Sequence, residues 1–263
     1  MTPTPDHLPE VRLRREGRVC VITIDNAPKK NALTPELMLQ LAQRLTEFDD
    51  DDALWVAVLE AAGDHTTAGL DMPRFFGPGA TAQPIPDTLV DPFGMKRRCR
   101  KPLIATVQGI TYTVGIELML ACDIVIAADT TRFAQLEARR GIAPLGGAHF
   151  RFLSRTGWGH AMYHLFTADE FSAERALQIG LVQEVAPAGE HRERALDLAR
   201  RIAECAPLGL RATKAAAQTY VQQGEAAAIA AVPAIRAQVL RSQDCREGIQ
   251  SFIERRPAVF QGR

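Results

Sequence analysis

Apolar and polar positions follow two different periods along the chain. Residues 11–15 and 19–24 read as two short strands, and Glu16-Gly17 between them is a hairpin signal. The period then lengthens. Leu37, Leu41, Leu45 and Phe48 recur at helical spacing, Thr34 stands at the N-cap position with Pro35 after it, and four aspartates at 49–52 end the run. Segments 55–60 and 103–107 are continuous apolar runs of strand length, and 124–127 follows a further apolar helix. Strands alternating with helices predict an α/β fold. Residues 71–102 are rich in Gly and Pro, lack a clear period and exceed a routine connection, so a mobile loop beside a ligand is expected. From about residue 188 the pattern is helical in four segments, 188–205, 209–222, 226–240 and 242–255. A core over 1–200 and a helical region over 201–263 are therefore expected.

The 263 residues leave room for one large domain or two small ones, and 46% hydrophobic with 24% charged residues is a globular composition. Lys plus Arg and Asp plus Glu number 31 each, so no global field draws the chain to nucleic acid or an anionic membrane. The longest charge-free stretch, 102–116, contains Gln108, two glycines and three threonines and falls short of a membrane span. Its first residues lack a secretory pattern, so a cytoplasmic setting is expected, with neither nucleic acid nor membrane as partner. Five cysteines, Cys20, Cys99, Cys122, Cys205 and Cys245, form no CxxC pair and read as reduced filler. The densest basic run, KRRCRK at 96–101, reads as a solvated face or a phosphate contact.

No GxSxG, HExxH, GxGxxG or P-loop string occurs. His160 and His164 are four apart on a predicted helix, but no acidic third ligand accompanies them, and they read as a packed or surface pair. The informative residue is Glu117. It lies in VGIELMLAC (114–122), a segment apolar on every face and hence buried, where an ionised carboxylate is costly. Such a group is paired, protonated or kept for function, with its pKa raised by desolvation. At the start of that helix the amide of Val114 or its neighbour lacks an intrahelical acceptor and is an anion donor. Small residues at 66–71 offer a second close backbone approach. Glu137 lies twenty positions after Glu117 and reads either as a second functional carboxylate or as a surface partner of Arg139 or Arg140.

With these residues in place the sequence resembles the crotonase superfamily, the enoyl-CoA hydratase/isomerase family, over nearly its whole length. Asn31-Ala32-Leu33 resembles the NAL element and 67–71 the SAGAD-type turn. Lys101 to Ala105 with Gln108-Gly109 is similar to the KPxIAAVNG strand. Glu117-Leu118 and Cys122-Asp123-Ile124 resemble the helix and strand that follow. Phe133 to Glu137 resembles FGQPE, Gly141 with Pro144 and Gly146-Gly147 the next turn, and 252–257 the usual C-terminus.

The resemblance implies a crotonase-like spiral of ββα units with a C-terminal helical trimerisation region, as a homotrimer or dimer of trimers. It implies an acyl-CoA thioester substrate and no cofactor beyond the coenzyme A of that substrate. Carried over by position, Ala68 and Val114 match the oxyanion-hole amides, and Glu117 and Glu137 match the catalytic glutamates. Ala32, Ala68, Leu70, Asp71 and Val114 fall on substrate-binding positions, Lys29 and Lys30 are the candidate coenzyme A phosphate contacts, and no residue matches a metal ligand. The implied reaction is reversible hydration of 2-enoyl-CoA to 3-hydroxyacyl-CoA. Double-bond isomerisation and non-catalytic acyl-CoA binding are the alternatives, and an NAD enzyme is disfavoured by the missing glycine fingerprint. Three departures stand out. The first loop lacks a clear basic residue before Pro28, which leaves Lys29 and Lys30 for the coenzyme A phosphates. Tyr112-Thr113-Val114-Gly115 replaces a run of glycines, and Leu136 replaces a proline.

Overall fold

The computed structural model describes residues 8–80 and 82–263. The hairpin is present: β1 (Glu10–Glu16) pairs antiparallel with β2 (Val19–Asp25). Four strands extend the sheet in parallel: β3 (Val56–Ala61), β4 (Leu103–Val107), β6 (Ile124–Ala128) and β9 (Glu184–Ala186), giving the order β1-β2-β3-β4-β6-β9. A second, three-stranded sheet joins β5 (Ile110–Tyr112), β7 (Arg132–Ala134) and β8 (Phe171–Ser172) in the order β5-β7-β8. The α/β expectation holds.

The parallel strands are predominantly apolar because both faces are covered, with Glu60 and Glu184 near strand ends as exceptions. On β3, Ala57 and Leu59 join the larger core with Leu37, Leu41 and Leu45 of α1 (Pro35–Asp50). Val56 and Val58 point the other way, to a smaller core with Ala195 and Ala199 of α7 (His191–Ile202). The alternation along one strand thus separates two layers.

Helix α1 starts as its sequence requires: the Thr34 hydroxyl accepts the Leu37 N–H at 3.3 Å. Its C-terminus settles the role of much of the basic run. The buried Lys101 ammonium donates to the carbonyls of Phe48 (2.8 Å) and Asp51 (2.6 Å), and buried Asp49 accepts from the Arg100 N–H (2.7 Å), Arg100 Nε (2.8 Å) and Arg97 Nη2 (3.2 Å). These cations hold a helix end where carbonyls lack partners.

The described residues of 71–102 contain one short helix, α2 (Met72–Phe76). Helices α3 (Val114–Ala121), α4 (Ala148–Thr156), α5 (Trp158–Thr167) and α6 (Ala173–Gln178) follow, and α8 (Pro207–Gln223), α9 (Glu225–Leu240) and α10 (Gln243–Glu254) close the chain. Helix α8 buries only Pro207, and α9 buries no residue at all. Tyr220, Val221, Ile229, Val232 and Phe252 of these helices are exposed. The tail returns to the core, where Arg18 Nη2 donates to the Phe260 carbonyl at 2.6 Å. Among the described residues no helix is long and apolar enough to cross a membrane.

Candidate active site

Strand β5 leads directly into α3, and β7 runs parallel beside it, with Tyr112 opposite Ala134 and the Thr113 N–H donating to the Ala134 carbonyl at 2.9 Å. Glu117 lies one turn into α3, and Glu137 opens the 3-10 turn that follows β7. The parallel pairing therefore brings two carboxyls, distant in sequence, to one end of the small sheet.

Both are buried, Glu117 at 2% and Glu137 at 7% relative exposure. Burial pushes Glu117 up to about 7, opposed by the amides of Ala148 and Gly146 and by the charge of Arg151. Glu137 is also pushed up to about 7, first by burial; its own backbone amide opposes the shift and the charge of Glu117 adds to it. The carboxyls thus share one electrostatic neighbourhood. Their partners differ. Glu117 Oε1 accepts the Ala148 N–H at 3.2 Å, which favours its ionised form, whereas Glu137 Oε2 is buried with no hydrogen-bond partner among the described residues. Arg139, read from sequence as a possible surface partner of Glu137, instead pairs with Asp169.

The NAL element holds the 66–71 turn through its main chain, and the Asn31 side chain fixes the loop that leads into it. Buried Asn31 accepts the Asn26 N–H through Oδ1 (2.7 Å) and donates through Nδ2 to the carbonyls of Ala62 (2.8 Å) and His65 (2.7 Å). The Thr67 hydroxyl donates to the Asn31 carbonyl at 2.7 Å. Leu33 bridges Leu70 in parallel, its N–H donating to the Gly69 carbonyl (2.9 Å) and its carbonyl accepting the Asp71 N–H (2.8 Å).

This geometry corrects the first oxyanion donor. The Ala68 N–H is already used, donating to the Lys30 carbonyl at 2.9 Å. In a parallel bridge the central residue carries its own N–H on the edge away from its partner. The Leu70 N–H is therefore turned from Leu33, and it has no acceptor among the described residues. The resemblance gave Ala68, and the direction of hydrogen bonds along an extended turn, which leaves the Leu70 N–H free of an acceptor among the described residues, is not encoded in composition.

Val114 is the first residue of α3, and its N–H has no acceptor among the described residues. The two segments touch, since a Cβ on Gly69 (φ +122°) would lie 2.9 Å from Thr113 Oγ1. Thr113 itself holds φ +51° and ψ −114°, a conformation that glycine adopts without penalty and a β-branched residue does not.

Lys29 and Lys30 are exposed beside this turn, Ala32 is half-buried, and Asp71 leads into α2. All the predicted substrate-binding positions thus gather around the 66–71 turn and the start of α3. Two contributors were not read from sequence: the 146–148 backbone that receives Glu117, and Phe93, whose Cδ1 would lie 3.0 Å from a Cβ on Gly146. The adjacent glycines 146 and 147 were the available signal. The histidine pair is divided, with His164 buried against Phe152 and Phe171 and exposed His160 facing Arg175.

The family model for enoyl-CoA hydratase/isomerase matches residues 14–263. The chain belongs to the enoyl-CoA hydratase/isomerase family. It is 30% identical over 254 residues to 2,3-dehydroadipyl-CoA hydratase of Escherichia coli, covering 97% of this chain and 99% of that protein. Among solved structures, a probable enoyl-CoA hydratase/isomerase from Mycobacterium abscessus is 42% identical with a TM-score of 0.93, covering 96% of this chain and 98% of that one. An enoyl-CoA hydratase from Mycobacterium tuberculosis is 31% identical with a TM-score of 0.89, over 97% and 100% of the two chains. The crotonase-like fold expected from sequence is thereby established.

Proposed function

We propose that this member of the enoyl-CoA hydratase/isomerase family is a hydro-lyase that adds water reversibly across the C2–C3 double bond of a 2-enoyl-CoA. The observation that carries the reading is the pair of buried carboxyls, both raised to about 7, at the end of the sheet where the N–H groups of Leu70 and Val114 are unpaired among the described residues. Those amides would receive the thioester oxygen as it gains charge, each donor contributing on the order of 10²-fold or more in rate. Glu117, supported as a carboxylate by Ala148, would orient water and take one of its protons as oxygen bonds to C3. Glu137, lacking a partner on Oε2, would hold the proton delivered to C2. Transfer of the proton from Glu117 back to Glu137 through solvent closes the cycle, with one water consumed.

Lys29 and Lys30 are offered as contacts to the coenzyme A phosphates, and the chemistry asks for no cofactor beyond that coenzyme A. The expected setting is cytoplasmic. The exposed apolar residues of α8, α9 and α10, together with Trp158, Tyr163 and Phe166 of α5, support assembly into a homotrimer or a dimer of trimers. Side-by-side assays of 2-enoyl-CoA and 3-enoyl-CoA, with products identified by mass, test the reaction. Gain of 18 Da from the 2-enoyl substrate is expected, and bond migration without water uptake would replace hydration by isomerisation.

A further inference from the structure

A cavity of about 180 Å³ lies between residues 90–99, the C-terminal end of α3, α4 and α8. Its charged lining is Arg98, Arg151, Arg155 and Lys214 against Asp91 and Asp123. Lys214 and Asp123 satisfy each other at 2.7 Å. The three arginines have no such partner: among the described residues none has a carboxylate within 4.0 Å. They are held by neutral oxygens instead. Arg98 Nε donates to the Gly94 carbonyl (2.9 Å), Arg151 to the carbonyls of Phe93 and Gly94, and Arg155 to the Cys122 carbonyl (2.7 Å) and Gln183 Oε1 (3.4 Å). The Nη groups of Arg98 make no hydrogen bond to any described residue. Asp91 spends Oδ1 on the Phe93 N–H at 2.8 Å.

Half-buried cations that outnumber the carboxylates around them and pair directly with none are costly, and a guanidinium fork favours a planar or tetrahedral oxyanion. Burial and the charge of Arg98, with a smaller contribution from Arg155, hold Arg151 below the ordinary guanidinium value against the opposing charges of Asp91 and Glu117. We infer that this cavity is an anion site that takes one compact carboxylate or phosphate group on Arg98, Arg151 and Arg155.

The site stands close to the candidate reaction centre. Arg151 holds the carbonyl of Phe93, and both the Phe93 ring and the Glu117 carboxylate crowd Gly146. One source of the anion is therefore a carboxylate at the far end of the substrate's acyl chain; the other is a free small anion. The first source rests on the enoyl-CoA reading, and the second does not.

The full-length protein is titrated with inorganic phosphate and with adipate at constant ionic strength, following binding by calorimetry in wild type, Arg98→Gln and Arg98→Lys. Saturable binding that weakens about tenfold or more in Arg98→Gln, and is largely kept in Arg98→Lys, establishes the site. Hydration of a 2-enoyl-CoA ending in a carboxylate is then compared with its methyl-ended counterpart. A KM that rises about tenfold in Arg98→Gln for the carboxylate-ended substrate alone assigns the anion to the substrate, and unchanged KM values for both with phosphate binding intact in wild type assign it to a free anion. If neither phosphate nor adipate binds in an Arg98-dependent way and the carboxylate-ended substrate shows no Arg98 dependence, the inference is overturned. Absence of all turnover with phosphate binding retained would reject the hydratase reading and leave the anion site standing.

Discussion

A Cβ on residue 146 would lie 2.6 Å from Oε2 of Glu117, so the carboxylate occupies space that only glycine leaves open. The same backbone stretch donates the Ala148 N–H to Oε1. Gly146→Ala is expected to displace the Glu117 carboxylate and lower the hydration rate about 10²-fold, because misplacement by an ångström is enough for such losses. Steady-state kinetics with an acyl-CoA binding titration checks this: kcat falls while binding persists.

The raised carboxyls carry a stability cost with a definite sign. Against an ordinary value of 4.5, a folded value of about 7 means the folded protein keeps a proton that the unfolded chain has released. Stability therefore falls as pH rises from about 4.5 to about 7, by about 3 kcal/mol for one such group and less than twice that for the coupled pair. Glu137→Gln should unfold at a higher temperature than wild type at pH 8 and nearly the same temperature at pH 4. Thermal melts at the two pH values decide it.

Activity should follow the same groups. The proposed chemistry needs one proton on the pair, so kcat declines above about pH 7 as the last proton leaves and declines in acid as both become protonated. A pH–rate profile flat across this range would remove the two glutamates from the reaction.

Thr113 stores strain where α3 begins, at φ +51°. Thr113→Gly relieves a conformation costing on the order of 1–3 kcal/mol and gives back about 0.5–1 kcal/mol through greater freedom of the unfolded chain. A modest rise in melting temperature is expected. A fall would show that Thr113's side-chain contacts outweigh the strain.

Much of the fold was legible because its signals are local and periodic. The N-cap Thr34, the apolar strands at 103–107 and 124–127 and the four terminal helices all carry their own patterns. Glu117 was conspicuous because a carboxylate in an all-apolar helix contradicts its surroundings. Glu137 was ambiguous: its burial comes from β5 and β7 lying side by side, a long-range pairing that spacing does not encode. The exchange of Ala68 for Leu70 has the same origin, since hydrogen-bond direction depends on Lys30 and Leu33 across the turn. Charge alone does not tell in the basic run that Lys101 caps α1, because its partners are main-chain carbonyls about fifty residues away. Replacing Lys101 by Met should cost about 1–3 kcal/mol of stability and leave the KM for acyl-CoA unchanged, as measured by denaturant unfolding and kinetics.

In the proposed mechanism Glu117 and Glu137 act on one water molecule. Its most direct test is the initial rate of 2-enoyl-CoA hydration by Glu117→Gln and by Glu137→Gln, with acyl-CoA binding measured on the same preparations. Each variant should bind the thioester and lose at least about 10² in kcat. Wild-type turnover by either one would contradict the claim.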